Sequence, residues 1–155
     1  GNMLGRMQRA YKGTMGTAIA KVIDITVSMT GASEKLCTAN NIPCSSVIIH
    51  HNDIAGYYPG AMKMCLKLIF SPETRKVLGA QAAGYSGVDK RIDVIATAIK
   101  GNMTVDDLAE IEHAYAPPYS SAKDPVNIAG FMAQDILDGL VGSATWEDVE
   151  AADQA

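Results

Sequence analysis

Six tyrosines stand against two phenylalanines and one tryptophan, and four of the six occupy two turn-like stretches, GYYPG at 56–60 and AYAPPYS at 114–120. A phenol keeps its proton near pH 7, so it can donate a hydrogen bond to a thiolate or an oxyanion without titrating. Proline narrows the freedom of the surrounding backbone, which holds such a donor in place before its acceptor arrives. Tyr57, Tyr58, Tyr115 and Tyr119 are therefore the residues best suited by type and setting to form a site. Tyrosine also packs its ring on protein while its hydroxyl meets water. The residues by themselves leave both readings open.

Other chemistry-bearing residues are placed less suggestively. His50 and His51 are adjacent on a strand-like stretch, so their side chains point to opposite faces and cannot share a metal. Asp53 lies on the same face as His51, but two residues fall short of the three or four ligands of an ordinary site. His113, beside the second tyrosine stretch, is able to hydrogen-bond or shuttle a proton. Cys37, Cys44 and Cys65 never approach CxxC spacing, which reads as thiols that are buried or idle. GYSG at 84–87 lacks the GxSxG of a nucleophile elbow. No GxGxxG stands between a strand and a helix, so nothing marks a dinucleotide phosphate loop.

These residues need a scaffold, and 155 residues at 48% hydrophobic and 19% charged fit one globular domain with a real core. A net charge of -4, with no long block of either sign, gives no grip for nucleic acid or an anionic membrane. No apolar run approaches the roughly 20 residues that cross a bilayer. Cysteine usage and the lack of a signal-like start fit a soluble, cytoplasmic protein.

The pattern of elements predicts an α+β fold, a mainly antiparallel sheet with helices packed on one side. AIAKVIDITV at 18–27 is rich in β-branched residues and reads as one strand closed by Thr30 and Gly31. Ser33 caps a short helix to about Asn40. SSVIIHHN (45–52), KMCLKLIF (63–70) and KVLGAQAAGY (76–85) are three more strands. The short SPET link makes the last two antiparallel neighbours. VDKRIDVIATAIK carries a helical apolar stripe ending at Gly101, and Thr104 with Asp107 starts a second helix. VNIAGFMAQDILDGL makes a third, with Gly139 as its stop.

Taken in order, KGTMGTAIAKVIDITVSMTGASE, HHNDIAGYYPG, GYSGVDKRIDVIATAI and MTVDDLAEIEHAYAPPYSSAKDPVNIAG make this chain resemble a known family over roughly residues 12–139. It is similar to the C-terminal dimerisation domain of the coenzyme A-disulfide reductase group of pyridine nucleotide-disulfide oxidoreductases. YAPPYSSAKDPVN is the most specific stretch, and DKRIDV supports it. The resemblance implies a parent enzyme that passes hydride from NADH or NADPH through FAD to one active-site cysteine, reducing coenzyme A disulfide, persulfide or polysulfide. It implies a homodimer in which Tyr57 and Tyr115 complete the partner subunit's site. Tyr58 and Tyr119 are the second members of each pair, because one residue of register decides which hydroxyl points inward.

The resemblance also implies that the FAD and NAD(P)H sites and the redox cysteine lie outside this chain. None of Cys37, Cys44 and Cys65 inherits the cysteine's role, and this chain alone would bind no flavin and turn nothing over. Residues 1–13 look like the end of a preceding flavin domain, 14–139 are the dimerisation domain, and 140–155 are a linker or the start of a rhodanese-like domain. The same fold also serves NADH oxidases and peroxidases, and a free-standing interaction module is the third reading.

Overall fold

A computed structural model describes residues 10–144 and 146–153. The first nine residues of the stretch read as a flavin-domain remnant, and residues 145, 154 and 155 of the tail, lie outside the described residues. Five strands form one fully antiparallel sheet in the order β1-β2-β5-β4-β3, from β1 Ala18–Val22, β2 Ile25–Gly31, β3 Ser45–Asn52, β4 Lys63–Phe70 and β5 Val77–Gly84. The helices are α1 Glu34–Ala39, α2 Val88–Lys100, α3 Val105–Glu110, α4 Pro125–Leu137 and α5 Trp146–Asp153.

Alternation along β4 decides which face is covered. Met64, Leu66, Leu68 and Phe70 are buried beneath α2, α3 and α4 with Val47, Ile49, Ala80 and Ala82 of the neighbouring strands. The helices answer with Val88, Ile92, Ile95 and Ala98 of α2, Leu108 of α3, and Val126, Ala129 and Ala133 of α4. Each large aliphatic side chain so buried contributes roughly 1.5–3 kcal/mol relative to exposure. The α+β layer expected from the sequence is therefore present, with its helical cover on this face. Short α1 is attached to the opposite face, where Glu34 accepts from Ser46 and Lys67.

The helix ends follow from their capping residues. Ser33 accepts from the Leu36 N–H, Thr104 and Asp107 form a reciprocal capping box, and Asp124 caps α4 with Pro125 in its first turn.

One expected strand is corrected. AIAKVIDITV is not continuous: the chain reverses at Ile23 and Asp24, pairing Val22 with Ile25 and Ala18 with Met29. Ile23 takes a positive φ of 55°, a conformation that β-branched residues rarely adopt. The turn therefore carries none of the Gly or Asn signals that mark hairpins in sequence. The tail after Gly139 contains α5.

Candidate functional site

Both tyrosine stretches are loops at one end of the domain, and the structure ties them to each other. The first leaves β3 at Asn52 and returns at Lys63. Buried Asp53 closes its neck, accepting from the Ile54 N–H at 2.9 Å and the Met62 N–H at 2.8 Å. This carboxylate, weighed beside His51 as a metal ligand, is spent on backbone donors. Tyr58 N–H donates to the Ala55 carbonyl at 2.8 Å, making the turn that presents Tyr57.

The second loop joins α3 to α4 and turns at Ala116, whose carbonyl accepts from the Tyr119 and Ser120 N–H groups. It meets the first through the Ala55 N–H, which donates to the Pro117 carbonyl at 3.3 Å, and through Ser121 Oγ, which donates to the Ile54 carbonyl at 3.1 Å.

A buried ion pair lies beneath the joined loops. Arg91 of α2, 1% exposed, grips Asp124 through Nε at 3.3 Å and Nη2 at 2.9 Å. The same Nη2 donates to the Asp53 carbonyl at 2.6 Å, and Nη1 to the Gly87 carbonyl at 3.1 Å. Ser120 Oγ adds a bond to Asp124 at 2.7 Å. One guanidinium thus fastens the neck of the first loop to the exit of the second. Arg91 and Asp124 lie in the DKRIDV and KDP stretches, but nothing in the sequence pairs them, although KDP before an apolar run is a cap signature and position 91 falls on the apolar stripe of α2.

Tyr57 and Tyr115 are brought together. Hydrogen bonding to the Tyr115 phenol, with smaller effects of burial and of charge on Tyr115, pushes the Tyr57 pKa above its ordinary value. Tyr57 therefore stays a neutral donor throughout the physiological range. Both rings remain open, at 77% and 48% exposure, so an incoming group can reach either hydroxyl. Tyr119 is 72% exposed on the far side of the Pro-Pro pair and Tyr58 39% exposed on the first turn.

His113 sits on the ion-pair side of the loop. Its Nε2 is buried with no hydrogen-bond partner. Burial lowers its pKa; the Asp124 charge opposes this, and Lys90 and Arg91 reinforce it. A neutral imidazole in that setting packs beneath the loop. Among the described residues, no group of three or more His, Cys, Asp or Glu side chains could hold a metal ion. No helix among them is long and apolar enough to cross a membrane.

Residues 17–125 match the sequence model of the pyridine nucleotide-disulphide oxidoreductase dimerisation domain. A coenzyme A disulfide reductase of Staphylococcus epidermidis is 42% identical over 124 residues, covering 80% of this chain and 28% of that protein. One from Staphylococcus haemolyticus is 40% identical over 134 residues, covering 86% of this chain and 30% of that protein. This chain thus spans less than a third of the length of these curated relatives. Reduced Bacillus anthracis CoADR-RHD superposes with a TM-score of 0.90 at 52% identity, over 93% of this chain and 26% of that one. A NAD-dependent persulfide reductase from A. fulgidus superposes with a TM-score of 0.82 at 43% identity, over 84% of this chain and 24% of that one.

Proposed function

This chain belongs to the family of pyridine nucleotide-disulphide oxidoreductase dimerisation domains, and we propose that it pairs with a second copy and completes the active site of the partner subunit with Tyr57 and Tyr115. The parent activity is FAD-dependent, NAD(P)H-using reduction of coenzyme A disulfide or of a persulfide or polysulfide. The observation that carries this reading is the joining of the two tyrosine loops. Their tyrosines lie 58 residues apart in sequence, and the loops hydrogen-bond to each other, leave both rings exposed, and rest on a buried ion pair that fixes both.

Among the described residues, no glycine-rich strand-to-helix loop of the kind that cradles a flavin or nicotinamide nucleotide phosphate is present. The strand-to-helix junction that comes nearest to a phosphate cradle is Gly84 to Gly87, and there the Arg91 guanidinium occupies the space beside Gly87. Cofactor binding is accordingly assigned to the rest of the parent protein. The two phenols hold protons. The Tyr57 or Tyr115 hydroxyl donates to the sulfur anion that forms as a disulfide or persulfide bond breaks, and so stabilises the leaving thiolate. Removing one such preorganised donor costs about 10²–10³ in turnover.

The test uses the parent enzyme with Tyr57→Phe, Tyr115→Phe and both together, assayed on coenzyme A disulfide and on coenzyme A persulfide. Loss of turnover with the dimer intact by sedimentation is the expected result. Unchanged turnover in the double variant on both substrates would overturn the tyrosine role.

A further inference from the structure

The stretch that carries Tyr115 is fastened at both ends, and between them by one side chain. At its start, Asn127 Nδ2 donates to the Ile111 carbonyl at 2.9 Å, and Ile111 packs against the core. At its end, the Ala116 carbonyl accepts from the Tyr119 N–H at 2.8 Å and the Ser120 N–H at 3.2 Å, and the Pro117 carbonyl accepts from the Ala55 N–H. Between these anchors the backbone of residues 112–115 makes no hydrogen bond among the described residues. Glu112, Ala114 and Tyr115 are exposed, whereas His113 turns inward and is half-buried. Its Nε2 is the one buried side-chain nitrogen or oxygen among the described residues that has no hydrogen-bond partner.

From this arrangement we infer that His113 is a positioning residue for Tyr115, whose neutral imidazole docks residues 112–115 and whose protonation releases them. The chemistry of the ring sets the direction. A neutral imidazole can turn a bare lone pair toward a place that offers no partner, whereas an imidazolium carries an N–H on both nitrogens. Protonation in place would bury a charged donor without an acceptor, which costs far more than an unused lone pair. The ring regains water by swinging outward, and the stretch it holds goes with it.

No neighbouring charge is free to take up that bond. The charges felt at His113 are Asp124 at the start of α4 and Lys90 and Arg91 of α2. Asp124 is the one anion among them, and a carboxylate has about four lone-pair sites. Arg91 Nε at 3.3 Å, Arg91 Nη2 at 2.9 Å, Ser120 Oγ at 2.7 Å and the Val126 N–H at 3.1 Å occupy these, with Lys90 Nζ 3.9 Å from the same carboxylate. Burial holds the His113 pKa below its ordinary 6.5; Asp124 opposes this, and the two cations reinforce it. The docked stretch is therefore most secure above about pH 6.5 and weakens as pH falls from there through the folded value. The docking stands on this geometry, and its consequence for turnover rests on the role proposed above for Tyr115.

Histidine NMR and amide hydrogen exchange on the 155-residue chain, taken from about pH 7 to about pH 5, test the docking. His113 should titrate below 6.5. Across that titration the Ala55, Tyr119 and Ser120 amides should lose protection while the core amides of β4 keep theirs. The loss should reach about tenfold for each unit by which the His113 pKa is depressed. In His113→Leu and in His113→Gln, two variants in case one does not fold, protection of these amides should no longer change with pH. A His113 that titrates at or above 6.5, protection that stays constant through its titration, or the same pH-dependent loss in both variants would overturn the inference. In the parent enzyme, the turnover ratio of the unsubstituted protein to Tyr115→Phe should shrink over the same pH range, and should hold constant in the His113→Leu background. A ratio that holds while the amides open would overturn the link to the site. If Tyr115→Phe matches the unsubstituted enzyme even at neutral pH, the tyrosine role fails, and exchange alone decides the docking.

Discussion

Asp124 is a carboxylate held in the protein interior in its charged form. Burial by itself would raise its pKa; the Arg91 charge, the Ser120 hydroxyl, the Arg91 hydrogen bonds and the Val126 N–H outweigh that and lower it. A carboxylate whose folded pKa is depressed adds stability above its unfolded pKa, and that stability is lost as pH falls through the folded value. Asp124→Asn keeps a good capping residue but leaves the Arg91 cation buried and unpaired, so it should cost about 3–5 kcal/mol at neutral pH. Urea unfolding at a series of pH values measures this. The gap between the two proteins should narrow below about pH 4, where the aspartate of the unfolded chain takes up its proton. The phenols above this pair were legible in sequence because tyrosines beside prolines are unusual in type and setting. Their support was not, because Arg91, Asp53 and Asp124 meet only after three elements have packed.

At the scale of elements, the junction of β5 and α2 is tied to the neck of the first tyrosine loop by Arg91, which bonds the carbonyls of both Gly87 and Asp53. Gly87 stands there with φ +68°, and a Cβ on it would run into Arg91 Nη1. Gly139 after α4 has a similar φ of +73°, with nothing near its missing Cβ. Gly139→Ala should therefore cost only the left-handed strain, about 1–2 kcal/mol. Gly87→Ala should cost that and the displacement of the guanidinium as well. Chemical denaturation of both variants isolates the second effect as the difference between them, and the Gly87 variant alone should also loosen the tyrosine loops. Most elements were legible for local reasons: Ser33, Thr104 and Gly101 mark helix ends by what they do to orphan backbone groups. The hairpin between β1 and β2 was not, because Ile23 turns the chain with a side chain that ordinarily forbids it. Pairing of Thr26 through Gly31 with β5 holds the rest of that strand in place, so tertiary structure overrides the local preference.

Across the whole molecule, the two faces of the sheet differ in what covers them. α2, α3 and α4 bury one. On the other, Val27, Met29 and Ile48 are 39%, 36% and 53% exposed around an open groove of about 530 Å³ that also includes Cys65, Lys67 and Ala83. Strand alternation requires these residues to face away from the core, so their apolar character is not explained by the packing of this chain with itself. Replacing Met29 and Ile48 together by lysine should accordingly leave the unfolding free energy within about 0.5 kcal/mol per site, as for ordinary surface positions. The same change should sharply reduce binding of an apolar fluorescent dye to the isolated chain. Leu66→Ala, one strand position from Cys65 but pointing into the helices, is the contrast and should cost about 2–5 kcal/mol. A lysine pair as costly as Leu66→Ala would mean that the face is already packed in solution. Paired urea titrations at two protein concentrations would then show whether a second copy is what packs it, since only association makes apparent stability depend on concentration.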